Sequence, residues 1–334
     1  MVVTIKKVSY AQKSTDNSPK DITIELEEQC IDKSGGCKSK NQSFFIDDED
    51  LGKGVGRYEI TYYGSPKIII DKLAFTYPVS KEQHQHIKDI CQGMCEFSDL
   101  DKYYKHNHFL NVNGHVLKIS FEPHIKTHNY LRIEYNPAKH ECNKKILAIM
   151  RKLLPNGIDK GKLRISRIDI AQDYPCIKPE HLMMYAEAFS VSRVYTDSNG
   201  KIEAIYIGSP NSTIQHKGYD KAKEQQKKGK STPQRTRIEV SIRKVSYEEL
   251  MTINPFKELQ LFYSPASNNP FFKQAKLQGL QKALRQLTKK KKEQQKAVLI
   301  KLICPWWSPN KVLPKYLIKV SNIGLFNSLK YTPK

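Results

Sequence analysis

The sequence predicts an α+β fold of largely antiparallel sheets, with helices on one face and a basic helical segment at the C-terminal end. The first observation is the order strand, helix, hairpin, which occurs twice along the chain, within residues 57–154 and again within 164–243. The second is a pair of Asn-Gly turns, Asn113-Gly114 and Asn199-Gly200, which favour the type I′ turn of a hairpin. Two such units are typical of antiparallel sheets covered by helices on one face.

Each element of the first unit follows from its residue pattern. Short runs rich in Ile, Val, Thr and Tyr predict strands, and apolar residues spaced by three and four predict helices. The predicted elements are strands at 57–63, 68–70 and 73–77, a helix at 81–92, strands at 109–112, 115–121 and 129–135, and a helix at 141–154. Pro155-Asn-Gly157 ends the last helix.

The second unit repeats this order. After a strand at 164–174, Pro179 opens a predicted helix that has an apolar face. The residues of this face are Leu182, Tyr185, Ala186 and Phe189. The elements that complete the unit are a hairpin of 191–196 with 202–207, a strand at 213–220, a Lys/Gln-rich loop at 222–234 and a strand at 236–243.

The two units form a predicted core domain over residues 56–250. Residues 1–55 are polar and rich in Ser, Lys and Asp, which predicts a poorly ordered or loop-rich arm. Residues 251–334 predict a basic helical region that contacts DNA or a partner, with one long helix at 273–302 marked by leucines spaced by threes and fours.

The composition points to a polyanionic partner. The chain has 334 residues with 56 Lys and Arg against 34 acidic residues, a net charge of +22. No apolar run approaches the roughly 18 residues of a membrane helix, and the N-terminus becomes polar before a signal peptide can build. We therefore expect a cytoplasmic protein without membrane contact. Its seven scattered cysteines do not form a disulfide framework there.

The positive charge is concentrated near the C-terminal end. Residues 251–334 carry 16 Lys or Arg and two acidic residues, so they hold +14 of the net +22. This segment, with its run Lys289–Lys292, is the strongest electrostatic candidate for contact with a phosphate backbone. The alternative is a solvated helix face, although such a face would be expected to mix both signs of charge.

Three predicted strands share one local pattern, Arg-x-carboxylate. They are Arg132-Ile-Glu134, Arg167-Ile-Asp169 and Arg237-Ile-Glu239. Because strand side chains alternate, Arg and carboxylate share a face, and in neighbouring strands the three carboxylates would converge on a hard cation such as Mg²⁺ or Mn²⁺. Asp173 lies on the same face as Asp169 but about 13 Å further along the strand, so it can join the three carboxylates only if the strand bends. The alternative is a set of cross-strand ion pairs on a solvated face.

Several segments taken together resemble a known family. They are Arg167-Ile-Asp-Ile-Ala-Gln-Asp-Tyr174, Tyr206-Ile-Gly-Ser209, Gly218-Tyr-Asp-Lys221 and Arg237-Ile-Glu-Val-Ser-Ile-Arg243, preceded by Leu131-Arg-Ile-Glu-Tyr-Asn-Pro137. In this order and spacing they resemble the rolling-circle replication initiators of small plasmids and filamentous phages, the replication initiation factor family. The resemblance covers about residues 55–250.

The resemblance implies an initiator that binds origin DNA as duplex and single strand and nicks one strand through a tyrosine, which leaves a 3′-hydroxyl primer. It implies Tyr219 as the nucleophile, with Tyr206 as the alternative. A phenol with a pKa near 10 is a poor nucleophile at neutral pH, so a metal and cations would have to lower the barrier. Asp169 and Glu239 are the first-choice ligands for Mg²⁺ or Mn²⁺.

The same resemblance implies further residues and partners. Lys221, Arg237 and Arg243 are the expected phosphate contacts, whereas Glu134 and Asp173 are further candidate ligands from the strand pattern alone. A second copy of the chain, in a homodimer, and a host helicase are the expected partners. The sequence has no glycine-rich phosphate loop, so it does not indicate a built-in helicase motor. The competing hypothesis is a protein that binds or regulates origin DNA on the same scaffold without catalysis.

Three other motifs have weaker functional interpretations. His106-Asn-His108 places two imidazoles on one side of a strand and suggests a metal site, although Asn107 counts against it. Cys91 and Cys95 lack a second thiol pair, which argues against zinc. Trp306-Trp307 offers base stacking, but a plug of the hydrophobic core is the favoured interpretation.

Overall fold

The computed structural model of the protein describes residues 2–9, 22–24, 42–48, 56–63, 66–94, 96–97, 103–112, 114–125, 129–139, 144–175, 177–264, 269–304 and 306–321. Within these ranges the chain forms three antiparallel sheets and eight α-helices. The protein is therefore α+β, as the repeated order of strand, helix and hairpin predicts. No helix in these ranges is both long and apolar enough to cross a membrane.

A four-stranded sheet contains the first strands of the chain. Its strands are β1 (Val2–Ser9), β2 (Ile22–Ile24), β3 (Gln42–Asp48) and β4 (Gly56–Tyr63). Their order is β2-β1-β4-β3, so the sheet crosses the predicted boundary at residue 55. The prediction of a loop-rich arm over residues 1–55 is therefore wrong where β1, β2 and β3 lie. Short β-branched and aromatic runs are enough for a strand once a distant partner is present, and average polarity hides them.

A ten-stranded antiparallel sheet forms the centre of the protein. Ten strands build it: β5 (Ile69–Pro78), β6 (Glu96–Phe97), β7 (Tyr104–Val112), β8 (His115–Pro123), β9 (Tyr130–Tyr135), β10 (Arg164–Pro175), β12 (Ser192–Thr196), β13 (Ile202–Ile207), β14 (Ile214–Asp220) and β15 (Arg235–Ser246). Their order is β12-β13-β14-β15-β10-β5-β9-β8-β7-β6. The two twelve-residue strands, β10 and β15, are therefore neighbours in the middle of the sheet.

Eight α-helices accompany the sheets. They are α1 (Lys81–Met94), α2 (Lys144–Leu153), α3 (Lys221–Gln226), α4 (Tyr247–Thr252), α5 (Pro270–Gln278), α6 (Leu280–Arg285), α7 (Lys289–Ile300) and α8 (Pro309–Ser321). The helices predicted at 81–92 and 141–154 are confirmed as α1 and α2. The predicted loop at 222–234 is wrong in its first part, where Asp220 caps α3 through a hydrogen bond from the backbone N–H of Lys223.

One hydrophobic core joins the sheet to the helices. Ile168 of β10 and Ile238 of β15 are completely buried, and they belong to the same cluster as Ile87 of α1 and Met150 of α2. Side chains of a strand alternate between its two faces. The charged residues that flank these isoleucines therefore lie on the opposite face of the sheet, which is called the polar face below.

The helix predicted after Pro179 is wrong. Pro179–His181 is one turn of 3₁₀-helix, and β11 (Leu182–Ala186) then pairs with β16 (Leu259–Tyr263) in a separate two-stranded sheet. A short apolar run buried on both faces fits a strand as well as a helix, and the partner strand lies far along the chain. Met184 of β11 packs against Gly218 of β14, where an added Cβ would lie 2.5 Å from Met184 Sδ.

The C-terminal region is part of the folded body. The predicted single helix at 273–302 is divided into α5, α6 and α7, because Gly279 has a φ of 90° between the first two. Leu277 is consequently 77% exposed, whereas Leu280 and Leu284 are buried. Trp307 lies in the main core and donates its Nε1–H to the carbonyl of Leu259, which confirms the core interpretation of the tryptophans.

The basic run Lys289–Lys292 begins α7, a helix that buries only Leu299. Changing these four lysines to Gln should weaken DNA binding and lower the slope of log K against log salt by up to about 3, since each neutralised phosphate contributes about 0.7 to 0.9. Fluorescence anisotropy over a salt series measures both quantities. A matched variant in which four other exposed lysines become Gln (Lys81, Lys160, Lys162 and Lys257) is the control. Equal slopes in the two variants would identify α7 as a solvated face.

His216 of β14 is buried in the core beside Phe189, at a ring-centroid distance of 5.3 Å. Burial lowers its pKa to about 4, and its Nδ1 has no hydrogen-bond partner among the described residues. The unfolded chain then binds more protons than the folded one below pH 6.5, so stability should fall as the pH drops. When the pH is lowered from 7.5 to 5, we expect His216 alone to reduce the free energy of unfolding by about 2 kcal/mol.

Urea unfolding of the protein and of His216→Phe at both pH values isolates this contribution. The variant keeps an aromatic ring in an apolar environment and removes the titration, so its loss of stability on acidification should be smaller by about 2 kcal/mol. The same loss in both proteins would mean that other groups cause the acid sensitivity.

Candidate active site

The three Arg-x-carboxylate motifs alternate as predicted. Their central residues, Ile133, Ile168 and Ile238, are completely buried, so the charged residues beside them lie on the polar face. β10 and β15 are neighbours, whereas β5 separates β10 from β9. Two of the three motifs are therefore adjacent, and the third lies one strand further away.

Two of the four predicted metal ligands lie close together. In the pairing of β10 with β15, Asp169 faces Ser241 and Ala171 faces Glu239, so Asp169 and Glu239 are diagonal neighbours. The Cβ atoms of such neighbours are roughly 7 Å apart. Ser241 is fully buried, and its Oγ has no hydrogen-bond partner among the described residues. Two carboxylates and one unsatisfied hydroxyl therefore meet at the centre of the polar face.

The other two predicted ligands belong to separate ion pairs. Glu134 binds Arg132, with an Nη2 to Oε2 distance of 2.9 Å, and also Lys72. Asp173 accepts hydrogen bonds from Nε and Nη2 of Arg237 at 2.6 and 2.9 Å. Among the residues that the structure describes, no three His, Cys, Asp or Glu side chains are grouped to hold a metal ion. The predicted convergence of the carboxylates on one ion is not found, because β5 and the length of β10 separate them.

Tyr219, the first-choice nucleophile, is bonded to Glu239. Its hydroxyl donates a hydrogen bond to Glu239 Oε2 at 3.0 Å, and Lys217 Nζ lies 2.7 Å from Oε1 of the same carboxylate. The strand register explains this arrangement, since Lys217 faces Glu239 and Tyr219 faces Arg237 across β14 and β15. A phenol, a carboxylate and an ammonium group are therefore contiguous on the polar face.

A cleft of about 300 Å³ opens over this group. Its lining residues come from β13, β14, β15 and the segment of α3, and they are Glu203, Ala204, Tyr206, Lys217, Tyr219, Asp220, Lys223, Glu224, Lys227 and Glu239. Both candidate nucleophiles line this cleft. The sequence resemblance left Tyr206 as the alternative, and of the two, Tyr219 is the one with a hydrogen bond to Glu239.

Electrostatics make the Tyr219 hydroxyl hard to ionise in advance. Burial and then the negative charge of Glu239 raise the pKa of Tyr219 above the ordinary value near 10, while Arg237 acts in the opposite direction. Burial also raises the pKa of Tyr206, followed by the effects of Tyr195 and Glu239. A phenolate is not formed at rest, so any reaction of Tyr219 requires a base that takes its proton during attack.

Of the three predicted phosphate contacts, Arg237 has a structural role. Besides its two hydrogen bonds to Asp173, its Nη1 lies 2.5 Å from Asp71 Oδ2, and only 5% of the residue is exposed. Asn136 in turn donates to Asp71 Oδ1 at 2.8 Å. Arg237 is committed to two carboxylates, and its position facing Tyr219 makes it a positioning residue instead of a free phosphate contact.

Lys221 lies at the first position of α3, close to Tyr219. Its Nζ is 5.7 Å from the centre of the Tyr219 ring and 2.5 Å from Glu224 Oε2, with Asp71 Oδ2 at 3.9 Å. The ammonium therefore lies near the phenol while its charge is shared with two acidic groups. The phosphate contact of Lys221 stays a prediction.

Arg243 lies directly opposite Arg167 across β15 and β10. Arg167 is neutralised by Asp169 through hydrogen bonds of 2.8 and 2.6 Å. Arg243 makes no ion pair among the described residues, and burial together with Arg167 lowers its pKa. Its guanidinium donates hydrogen bonds to the carbonyl of Ser212 and to Gln215 Oε1 at 3.5 and 3.4 Å, both of which are neutral acceptors. The phosphate contact of Arg243 stays a prediction.

Sequence reasoning missed two members of the site. Lys217 is two residues before Tyr219, so strand alternation already places it on the same face, and this signal was available. Asp71 lies on β5, more than 160 residues from its partner Arg237. Asp71 and Arg237 meet only because the strands pair in three dimensions, and no local sequence pattern predicts this contact.

The histidines near α1 form an aromatic cluster. The rings of His106 and His108 stack on Phe121, with centroid distances of 4.9 and 5.5 Å, and His84 lies 6.1 Å from the same ring. Burial lowers the pKa of all three imidazoles. Within the described ranges this cluster is not a metal site, and the weak metal interpretation of His106 and His108 is not supported.

Comparison with known proteins gives a distant likeness in fold. No protein-family profile matches the chain, and no curated protein matches it. Among solved structures, the chain is similar to a rolling circle replication initiator protein from Geobacillus stearothermophilus, at 15% sequence identity and a TM-score of 0.40. The match covers 61% of this chain and 89% of that chain. At this distance the function has to be argued from the geometry of the site.

Proposed function

We propose that this protein initiates rolling-circle replication by nicking one DNA strand with Tyr219 as the nucleophile. The observation that carries the proposal is the hydrogen bond of 3.0 Å from the Tyr219 hydroxyl to the Glu239 carboxylate, in a cleft on the polar face. A tyrosine bonded to a carboxylate has the geometry of a nucleophile with its general base. The net charge of +22 supports a polyanionic substrate.

The proposed step is a transesterification in which atoms and charge balance. Tyr219 Oη attacks the scissile phosphorus, and its proton passes to Glu239. The bond from phosphorus to the 3′ oxygen breaks, and this oxygen takes the proton back to become the free 3′-hydroxyl. The phosphotyrosyl ester conserves the energy of the broken bond, so the strand can later be rejoined.

Cations around the cleft would stabilise the charge that develops on phosphorus. Lys217 lies against Glu239, and Lys221 lies near the Tyr219 ring. Preorganised cations in a site that is largely shielded from water are more effective than the same charges in bulk solvent. Arg243 would bind a phosphate further along the strand, because Glu239 and Arg243 are four residues apart on β15, roughly 13 Å.

A divalent ion fits the centre of the polar face in a limited way. Asp169, Glu239 and the unsatisfied hydroxyl of Ser241 are oxygen donors, which Mg²⁺ and Mn²⁺ prefer. Both oxygens of Asp169 are bonded to Arg167, and those of Glu239 to Lys217 and Tyr219, so an ion would have to share or replace these partners. Mg²⁺ commonly binds one or two carboxylates and takes its other ligands from water and phosphate. In this position the ion would act as a Lewis acid toward a phosphate oxygen. Glu134 and Asp173 are not part of this donor set.

The test is formation of a covalent adduct with DNA. A randomised pool of single-stranded oligonucleotides, labelled at the 3′ end, is incubated with the full-length protein and Mg²⁺ or Mn²⁺, then denatured in detergent. The proposal expects label on the protein, and an excess of chelator should prevent it if a metal takes part. DNA binding without any adduct would favour the non-catalytic origin binder. A protein that binds neither single-stranded nor duplex DNA would have neither function.

A further inference from the structure

A pair of tyrosines lies beside the cleft, on the hairpin of β12 and β13. The rings of Tyr195 and Tyr206 are in contact, with centroids 5.0 Å apart and planes inclined by 57°. Tyr195 is 44% exposed, while Tyr206 is half-buried and lines the cleft. One ring therefore supports the other, and the supported ring keeps an open surface.

The strand register places this pair next to the candidate nucleophile. Tyr195 faces Ala204, and Ala204 faces Tyr219, so the three residues form one row across β12, β13 and β14. Two interstrand spacings separate Tyr195 from Tyr219, roughly 10 Å. Ala204 is the small residue between the two tyrosines and forms part of the floor of the cleft. Space for a flat group is therefore left between the exposed tyrosine and the nucleophile.

Positive charge follows the adjacent row. Arg193 faces Tyr206 across the same hairpin, is exposed, and makes no ion pair with any residue that the structure describes. Lys217 occupies the next position of this row, beside Glu239. This row therefore contains Arg193, Tyr206 and Lys217 in order, and it runs beside the row of Tyr195, Ala204 and Tyr219 from the edge strand β12 to β14.

We propose that Tyr195, supported by Tyr206, stacks on an unpaired base of the DNA strand whose phosphate lies in the cleft, and that Arg193 contacts a phosphate of that strand. Aromatic side chains beside a basic groove are how proteins hold single strands without reading sequence. In a duplex the base faces are covered by their neighbours, so the surface fits a single strand. This inference rests on the proposed function for the position of the strand.

Binding of single-stranded DNA tests the platform without requiring cleavage. The probe is a fluorescein-labelled dT 12-mer, and its dissociation constant is measured by anisotropy for the protein, Tyr195→Leu and Tyr195→Phe. Stacking of one base predicts roughly tenfold weaker binding for Tyr195→Leu and nearly unchanged binding for Tyr195→Phe. Tyr103→Leu, which removes a tyrosine that is 62% exposed near the far end of the sheet, is the matched control.

A second probe separates stacking from charge. An abasic oligomer of the same length keeps the phosphates and lacks the bases, so Tyr195→Leu should bind it as well as the unchanged protein does. Arg193→Gln should weaken the binding of both oligomers and lower the slope of log K against log salt by about 0.7. The inference would be overturned if Tyr195→Leu bound the dT oligomer as tightly as the unchanged protein does. It would also be overturned if the substitution weakened binding of the abasic oligomer as much as binding of the dT oligomer.

The outcomes also distinguish this inference from the proposed function. Loss of dT binding in Tyr195→Leu, in a protein that forms no covalent adduct, would support the platform and contradict the nicking activity. Adduct formation together with unchanged dT binding in Tyr195→Leu would support the activity and contradict the platform.

Discussion

Replacing Tyr219 by Phe is expected to abolish the covalent adduct between protein and DNA. The substitution removes the hydroxyl that lies 3.0 Å from Glu239 and keeps the ring that packs at the cleft. Without the oxygen no phosphotyrosyl bond can form, whereas affinity for single-stranded DNA should change little. The measurement is gel separation of the labelled, detergent-denatured protein, combined with anisotropy for binding.

Tyr206→Phe is the matched control, because Tyr206 lines the same cleft. We expect it to weaken the adduct without eliminating it. Mass spectrometry of the protease-digested adduct locates the modified peptide directly. Nucleotide on a peptide that lacks Tyr219, or a full yield of adduct in Tyr219→Phe, would transfer the role of nucleophile to another tyrosine.

Replacing Glu239 by Gln is expected to slow adduct formation by roughly a hundredfold or more, the usual contribution of a general base. The pKa of Tyr219 is raised in its buried position, so the hydroxyl depends on a proton acceptor at the moment of attack. Gln keeps the size of the side chain and can accept a hydrogen bond, but it cannot take the proton. Single-turnover rates with the 3′-labelled pool measure the loss.

Two variants control for the charge that this substitution removes. Glu203→Gln changes a carboxylate that also lines the cleft and is paired with Lys223 at 2.7 Å, so it should retain most of the rate. The double variant Glu239→Gln with Lys217→Gln avoids leaving a lysine unpaired and should be at least as slow as Glu239→Gln alone, because it also removes a cation beside the cleft. A rate in Glu239→Gln close to that of the unchanged protein would exclude the carboxylate as the base.

Local sequence patterns predicted the strands of the site well. Alternation in Arg167-Ile-Asp169 and Arg237-Ile-Glu239 fixed which side chains share a face, and the turn at Asn199-Gly200 fixed the hairpin of β12 and β13. These signals are local, because each depends on residues that are close in the chain. They placed the Arg and the carboxylate of each motif on one face, whereas the meeting of Tyr219 and Lys217 with Glu239 depends on the pairing of β14 with β15.

The order of strands could not be obtained in this way. β5 lies between β10 and β9, and this separates Glu134 from Asp169, although the two motifs look alike in sequence. The same limit explains β11, whose apolar run reads as a helix until β16 is available to pair with it. Which strand becomes a neighbour depends on contacts between distant segments, about which periodicity carries no information.

The contact between Met184 and Gly218 restricts how this protein can change over evolutionary time. Gly218 immediately precedes Tyr219, and a Cβ added to it would lie 2.5 Å from Met184 Sδ, so the end of the Met184 side chain would have to move. A mutation at this position that adds even one carbon requires either a shift of the flexible end of the Met184 side chain or a smaller residue at position 184. In related chains we therefore expect a larger residue at position 218 to favour a smaller residue at position 184, which lies on β11 outside the lining of the cleft.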